Sequence, residues 1–313
     1  MARKIIIDTD PGQDDAVAIL LALASPEDFD VLGIVAVAGN VTLAQNARNA
    51  LKAVELSGRK DIAVYAGCER PMRRTLVTAE YVHGETGLDG PDLPAPKLKL
   101  EEQHGVDFII DTLLAHEEKT VTLACLGPLT NIAMAMVKEP RIIARMEEIV
   151  MMGGGCFEGG NITPAAEFNI YVDPDAADVV MRSGVPVTMV PLDVTHMVLS
   201  THDRLDRIKA IGNRAGTAVY EMLSFSERFD LQKYGSKGAP LHDPCVMAFM
   251  LKPELFQGRH INVMIETASE LTVGMTVADY WGVTNRPKNV NFLRSGDAEG
   301  FYALLTERLA RLP

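Results

Sequence analysis

The chain has 313 residues, 47% of them apolar, and a formal net charge of −12 at pH 7. That length and apolar share supply a substantial core, and the acidic balance argues against a nucleic-acid partner, which needs a basic patch. The longest apolar run, residues 16–24, is far short of the roughly 20 residues of a membrane helix, and the start Met1-Ala2-Arg3-Lys4 lacks the apolar stretch of a signal peptide, so a cytoplasmic protein without a membrane partner is expected.

In chain order, β-branched apolar runs at 4–8, 31–38, 62–65, 121–126, 149–152 and 185–192 read as buried strands. Helical patterns at 14–24, 43–56, 106–117, 129–137 and 174–183 lie between them. This alternation predicts the α/β class, with an open, mostly parallel central sheet flanked by helices. Residues 203–256 read as mainly helical, with strands following at 260–266 and 271–277. No repeat or linker interrupts the pattern, so one domain over 1–313 is expected, with the Pro/Gly-rich segment 84–96 as a lid or flap. The four cysteines, Cys68, Cys125, Cys156 and Cys245, have no zinc spacing and read as inert thiols.

Each strand run ends in a polar or glycine-rich turn: Asp8-Thr9-Asp10-Pro11-Gly12, Gly39-Asn40, Gly127-Pro128, Gly153-Gly154-Gly155 and Asp193. In open α/β sheets ligands bind beyond the carboxyl ends of the strands, so these turns are expected to converge on one cleft. The first turn is the most informative, because Asp8, Asp10, Asp14 and Asp15 crowd between an apolar strand and an apolar helix. Individually, such residues end strands or complement a helix N-terminus. Together, like charges so close either raise their pKa values or bind a cation. Oxygen donors with no cysteine or histidine pair point to Ca²⁺ or Mg²⁺. An EF-hand is excluded, since Gly12 stands at its fifth position and Ile19 at its twelfth. Asp14 and Asp15 point about 100° apart on a helix and can serve different partners. Gly127–Asn131 lacks the Lys-Ser/Thr of a phosphate loop, and Met151 to Gly155 lacks dinucleotide-binding spacing.

The string Asp8-Thr9-Asp10-Pro11-Gly12-Gln13-Asp14-Asp15-Ala16 resembles the signature of the nucleoside hydrolases that prefer inosine and uridine or pyrimidine ribonucleosides. The similarity runs over essentially the whole chain. It includes Gly39-Asn40, His83-Gly84 with Gly87-Leu88, the strand end from Leu126 to Asn131, Met152-Gly153-Gly154, the segment from Asn161 to Asn169, and His242-Asp243. The resemblance implies Ca²⁺ held by Asp10, Asp15, the carbonyl of Leu126 and Asp243. Leu126 replaces a frequent threonine, a change of little weight where the main chain is the ligand. It further implies Asp10 as the base that activates water, and Asp14, Asn40, Asn161, Glu167 and Asn169 as ribose contacts, with Asp14 at the 2′-hydroxyl and Met152 as an apolar wall. His242 is implied as leaving-group contact or acid and His83 as a base-side contact. Tyr234 can stack on the base or donate to it. A homotetramer or dimer is the implied assembly.

The implied reaction is hydrolysis of the N-glycosidic bond of uridine or cytidine, with inosine as a further substrate, to free base and ribose. It needs an activated water on one face of the sugar and help for the departing base on the other. Two other classes compete. Asp8-x-Asp10 after a strand is also the arrangement of aspartate-nucleophile phosphohydrolases, although Gly12 stands where those carry Thr or Val. A non-catalytic nucleoside- or sugar-binding protein would need no metal.

Overall fold

The structure is a computed structural model that describes residues 2–234 and 238–313, with residues 230–234 described by their backbone alone. In chain order the elements are β1 (Arg3–Thr9), α1 (Gln13–Leu23), β2 (Phe29–Ala36), α2 (Leu43–Leu56), β3 (Val64–Ala66), α3 (Glu80–His83), α4 (Gly105–Ala115), β4 (Val121–Cys125) and α5 (Thr130–Lys138). There follow β5 (Met146–Met152), α6 (Phe168–Val172), α7 (Pro174–Met181), β6 (Val187–Val190), α8 (Leu192–Thr195), β7 (Leu199–Ser200), α9 (His202–Lys209) and α10 (Arg214–Tyr234). The chain closes with β8 (Ala239–Pro240), α11 (Pro244–Leu251), β9 (Phe256–Ile265), β10 (Thr276–Asp279), β11 (Val290–Gly296) and α12 (Ala298–Leu309).

Nine strands form one sheet in the order β10-β9-β11-β6-β5-β4-β1-β2-β3. From β3 to β11 every neighbouring pair is parallel, and only β9 runs against its neighbours. Strand alternation divides the core into two layers. Ile5 and Ile7 of β1 pack with α1, α2, α10, α11 and α12 on one face, and Ile6 packs with α4, α5 and α7 on the other. Helix α1 is buried at every position except Asp14, because α2, α10, α11 and α12 all pack against it. That enclosure explains why its sequence carries no polar stripe after Asp15. No helix of the described residues is long and apolar enough to cross a membrane.

The expected alternation is present, with differences in the bounds and number of the elements. The third strand is Val64–Ala66, and the sixth stops at Val190, because Pro191 ends the ladder and Leu192–Thr195 coils into α8. Residues 271–274 form a turn with Gly274 at φ 83°, so only Thr276–Asp279 pairs as β10. Strand β11 and helix α12 escape the sequence reading. In β11 the polar Asn291, Arg294 and Ser295 interrupt the apolar run, yet it links parallel β6 to antiparallel β9. Helix α12 is announced by its cap Asp297, whose carboxylate accepts from the N–H groups of Glu299 and Gly300.

From β1 the chain proceeds to β2 and β3 on one side of the sheet and to β4, β5 and β6 on the other. The carboxyl ends of β1 and β4 therefore bound the crevice at a topological switch point, where open α/β sheets bind ligands.

Candidate active site

Helix α1 starts immediately beyond β1, so the two elements place Asp10 at the strand end and Asp14 and Asp15 in the first helical turn. Asp15 is fully buried and accepts from the Thr9 hydroxyl (2.5 Å), the Asp10 N–H (3.2 Å), the Gly12 N–H (3.1 Å) and Asn40 Nδ2 (3.2 Å). Asp10 is also buried, and its Oδ2 accepts from the Asn40 N–H at 2.8 Å. Two glycines make room for it. A Cβ added at Gly39 would lie 2.0 Å from Asp10 Oδ2, and one at Gly127 would lie 2.2 Å from Oδ1. Both glycines are therefore required by the close approach of the carboxylate to the ends of β2 and β4.

Asp243, the N-cap of α11, reaches the same point from the far end of the chain. Carboxylate oxygens of Asp14, Asp15 and Asp243 lie within 4.8 Å of one another. Asp10, expected as a ligand, falls outside that trio, whereas Asp14, expected at the sugar, belongs to it. All four acids nevertheless act on each other. Burial first, then the charges of Asp14, Asp15 and Asp10, push Asp243 well above the usual carboxylate range. Burial, then Asp15, raises Asp10 likewise. Asp15 itself is raised by burial and by Asp14 to about 6, with its hydrogen bonds opposing. Such acids hold protons unless a cation replaces them. The donors are all oxygen, which suits a hard divalent ion, and Leu126, directly after β4, lines the same pocket as Asp14 and Asp243. Asn169 Nδ2 donates to the Leu126 carbonyl at 2.7 Å, which leaves its second lone pair for a ligand.

Asp14 and Asp243 line a pocket together with Asn40, Met152, Asn161, Glu167, Asn169, His83 and His242. Most of the expected residues thus meet in one cavity. Glu167 caps α6 by accepting from the N–H groups of Asn169 and Ile170, and also holds the Gly154 N–H at 3.0 Å. Burial lifts its carboxyl to about 7. Asn161 Oδ1 accepts from the Phe168 N–H at 2.9 Å. Asn169 Nδ2 is also 3.4 Å from the Met152 carbonyl, so its amide is oriented with Oδ1 toward the pocket. His242 Nδ1 is 2.8 Å from the Thr195 hydroxyl, and burial lowers its pKa to about 4. His83 Nδ1 is 2.7 Å from Gln13 Oε1, and burial lowers its pKa too. The side chain of Tyr234 lies outside the described residues.

Several lining residues carry no sequence signal. His196, in α8's C-terminal turn, brings its ring 6.0 Å from that of His242 and faces the Glu158 carboxylate at 3.1 Å. Tyr81 and Phe229 meet edge to face at the pocket, joining α3 to α10. Only the long-range packing of these elements identifies them. Asp173 serves as the helix cap its sequence suggests, accepting from the Ala176 N–H. Asp193 accepts from the N–H groups of Cys156 and Phe157.

The raised acids give a pH dependence of known sign. Asp15 near 6 and Glu167 near 7 both lie above ordinary carboxylates, so the stability they supply is complete below about pH 4 and is lost as pH rises through 6 to 7. In chelator the melting temperature is expected to fall between pH 5 and pH 8, and a divalent cation is expected to restore more of it at pH 8 than at pH 5. A flat profile in differential scanning calorimetry, or a cation effect larger at pH 5, contradicts this.

Comparison with known proteins identifies the family. The family model described as inosine-uridine preferring nucleoside hydrolase matches residues 5–303. An uncharacterized protein of Schizosaccharomyces pombe is 53% identical over 310 residues, covering 99% of this chain and 100% of that one. The pyrimidine-specific ribonucleoside hydrolase RihA of Shewanella sp. (strain MR-7) is 46% identical over 311 residues, 99% of this chain and 97% of its own. Among solved structures, a purine-preferring ribonucleoside hydrolase from Gardnerella vaginalis superposes with a TM-score of 0.91 at 33% identity, covering 98% of each chain.

Proposed function

Because the chain belongs to the inosine-uridine preferring nucleoside hydrolase family, we propose that this ribonucleoside hydrolase is Ca²⁺-dependent and cleaves pyrimidine ribonucleosides, uridine and cytidine, with inosine as a further substrate. The observation that carries the reading is the cavity where Asp14 of α1 and Asp243 at the start of α11, which meet Asp15, share one lining with Asn40, Asn161, Asn169 and the imidazoles of His83 and His242. The pyrimidine preference draws on the RihA relative, 46% identical over nearly the whole chain.

Asp10, Asp15, Asp243 and the Leu126 carbonyl would hold the ion. A Ca²⁺ ion held there would keep the carboxylates ionised and would make a nearby water more acidic. Asp10 takes the proton from that water, its carboxylate fixed by the Asn40 N–H and by the two glycines on either side. Asn40, Asn161, Glu167 and Asn169 hold the ribose hydroxyls, Asp14 meets the 2′-hydroxyl, and Met152 forms the apolar wall under the sugar. His242 assists the departing base and His83 contacts it. The work proceeds within one domain, in a homodimer or homotetramer in the cytoplasm.

Two observations weigh against a phosphohydrolase. Asp8, the leading acid of that motif, is fully buried, and its Oδ2 accepts from Asn131 Nδ2 rather than facing the pocket. Its surroundings raise it to about 8, chiefly by burial, which makes it a poor nucleophile at neutral pH.

The test is a panel of ribonucleosides and 2′-deoxyribonucleosides assayed for released sugar, with chelator and after added Ca²⁺. Leaving hydroxyl-binding groups unpaired costs about 1–3 kcal/mol, so deoxyuridine is expected to react roughly 10–100-fold more slowly than uridine. Chelation is expected to remove the activity and Ca²⁺ to restore it. Equal rates for the two series, or full activity in chelator, would overturn the reading.

A further inference from the structure

Gln13 Nε2 lies 2.9 Å from the His83 carbonyl and 3.0 Å from the Asp89 carbonyl, two acceptors that require a donor between them. The amide orientation of Gln13 is thereby fixed, and its Oε1, 2.7 Å from His83 Nδ1, is an acceptor. Nδ1 of His83 must donate, so a neutral His83 turns an unprotonated Nε2 to the pocket.

At the opposite imidazole the logic reverses. The Thr195 hydroxyl is fully buried, and among the described residues its hydrogen-bond partner is His242 Nδ1 at 2.8 Å. A buried hydroxyl hydrogen without an acceptor is costly. The arrangement satisfies it only if the hydroxyl donates to Nδ1, which puts the ring proton of His242 on Nε2.

We propose that Thr195 and Gln13 are positioning residues that hold His242 and His83 in opposite tautomers, so that the pocket offers the nucleobase one N–H donor, at His242, and one acceptor, at His83. The proposal deepens the base-side part of the reading above and rests on it for the identity of the ligand. A base with a ring carbonyl beside an N–H, as in uracil, presents the matching acceptor and donor. The donor at His242 can stabilise charge that develops on the base as the glycosidic bond breaks. Neither Thr195 nor Gln13 touches the sugar in this scheme; each acts through the ring it holds, as an outer partner does for a liganding histidine.

The experiment is ¹⁵N NMR of histidine-labelled, full-length protein, with His83 and His242 assigned from the spectra of His83→Ala and His242→Ala, alongside uridine kinetics. The expected wild-type spectrum shows a protonated Nε2 with bare Nδ1 for His242 and the opposite pattern for His83. Thr195→Val is expected to mix the His242 tautomers and lower kcat about 10–100-fold, and Thr195→Ser is expected to restore both. A wild-type His242 protonated at Nδ1, the same tautomer at both rings, or a Thr195→Val variant with unchanged spectrum or unchanged kcat overturns the proposal. The spectra need no turnover. An enzyme inert toward every nucleoside would therefore refute the proposed function while the ring patterns still judged the tautomers.

Discussion

With asparagine in place of Asp10, uridine hydrolysis is expected to fall by up to about 10⁴-fold, the upper range for loss of a positioned proton acceptor. The fold should survive the change, because asparagine can turn its oxygen toward the Asn40 N–H that Asp10 Oδ2 now accepts at 2.8 Å. The buried carboxyl is exchanged for a neutral group of the same shape, so the melting temperature in chelator should hold or rise. Asp10 has two proposed tasks, and excess Ca²⁺ separates them. A residue that only binds the ion can be compensated by mass action, whereas one that removes a proton cannot. Steady-state kinetics at rising Ca²⁺ are therefore expected to plateau far below the wild-type rate. Recovery of wild-type kcat at high Ca²⁺ would reduce Asp10 to a ligand.

The second large effect is expected from a methyl group. Gly127→Ala would place its Cβ 2.2 Å from Asp10 Oδ1, and the nearest atoms include the backbone nitrogen of Asp10 at 3.2 Å. The carboxylate must then move by about an ångström, and a displacement of that size costs on the order of 10²-fold in rate. Gly39→Ala makes the same intrusion from the β2 side, 2.0 Å from Oδ2. Because either substitution meets the acid rather than the apolar layers, kcat is expected to fall further than stability does. The check is kcat with uridine beside the melting temperature. Wild-type turnover in both variants would show that the glycines are not needed for the position of Asp10.

What the sequence disclosed, and what it concealed, follows from the range of the forces involved. The parallel strands are legible because both faces are buried, as the uninterrupted Ile5-Ile6-Ile7 shows. The acids of the first turn are legible because their crowding has no structural economy without a cation. Strand β11 escapes the sequence because four of its seven positions are only partly buried and three of those four carry polar side chains, so its run resembles a loop. Thr195 and His196 escape the sequence because 185–192 reads as one strand up to Leu192, whereas Pro191 turns the chain into α8, which sets Thr195 against His242 and His196 in the pocket lining. Asp243 could be placed only through the resemblance, since no local pattern tells that the start of α11 meets the start of α1. Asp14 illustrates the remaining gap: helical spacing separates it from Asp15, yet the two share the approach of Asp243.

The enclosure of α1 has a consequence for how such an enzyme can change. Its first turn carries two of the acids and the helix is packed against four others, so the proposed catalytic groups inherit the rigidity of the interior. His83 and Tyr81 instead belong to the four-residue α3, whose Tyr81, exposed to solvent, meets Phe229 of α10 edge to face. Selectivity can therefore drift through exchanges at the periphery, while nearly any alteration beneath the acids is paid in turnover.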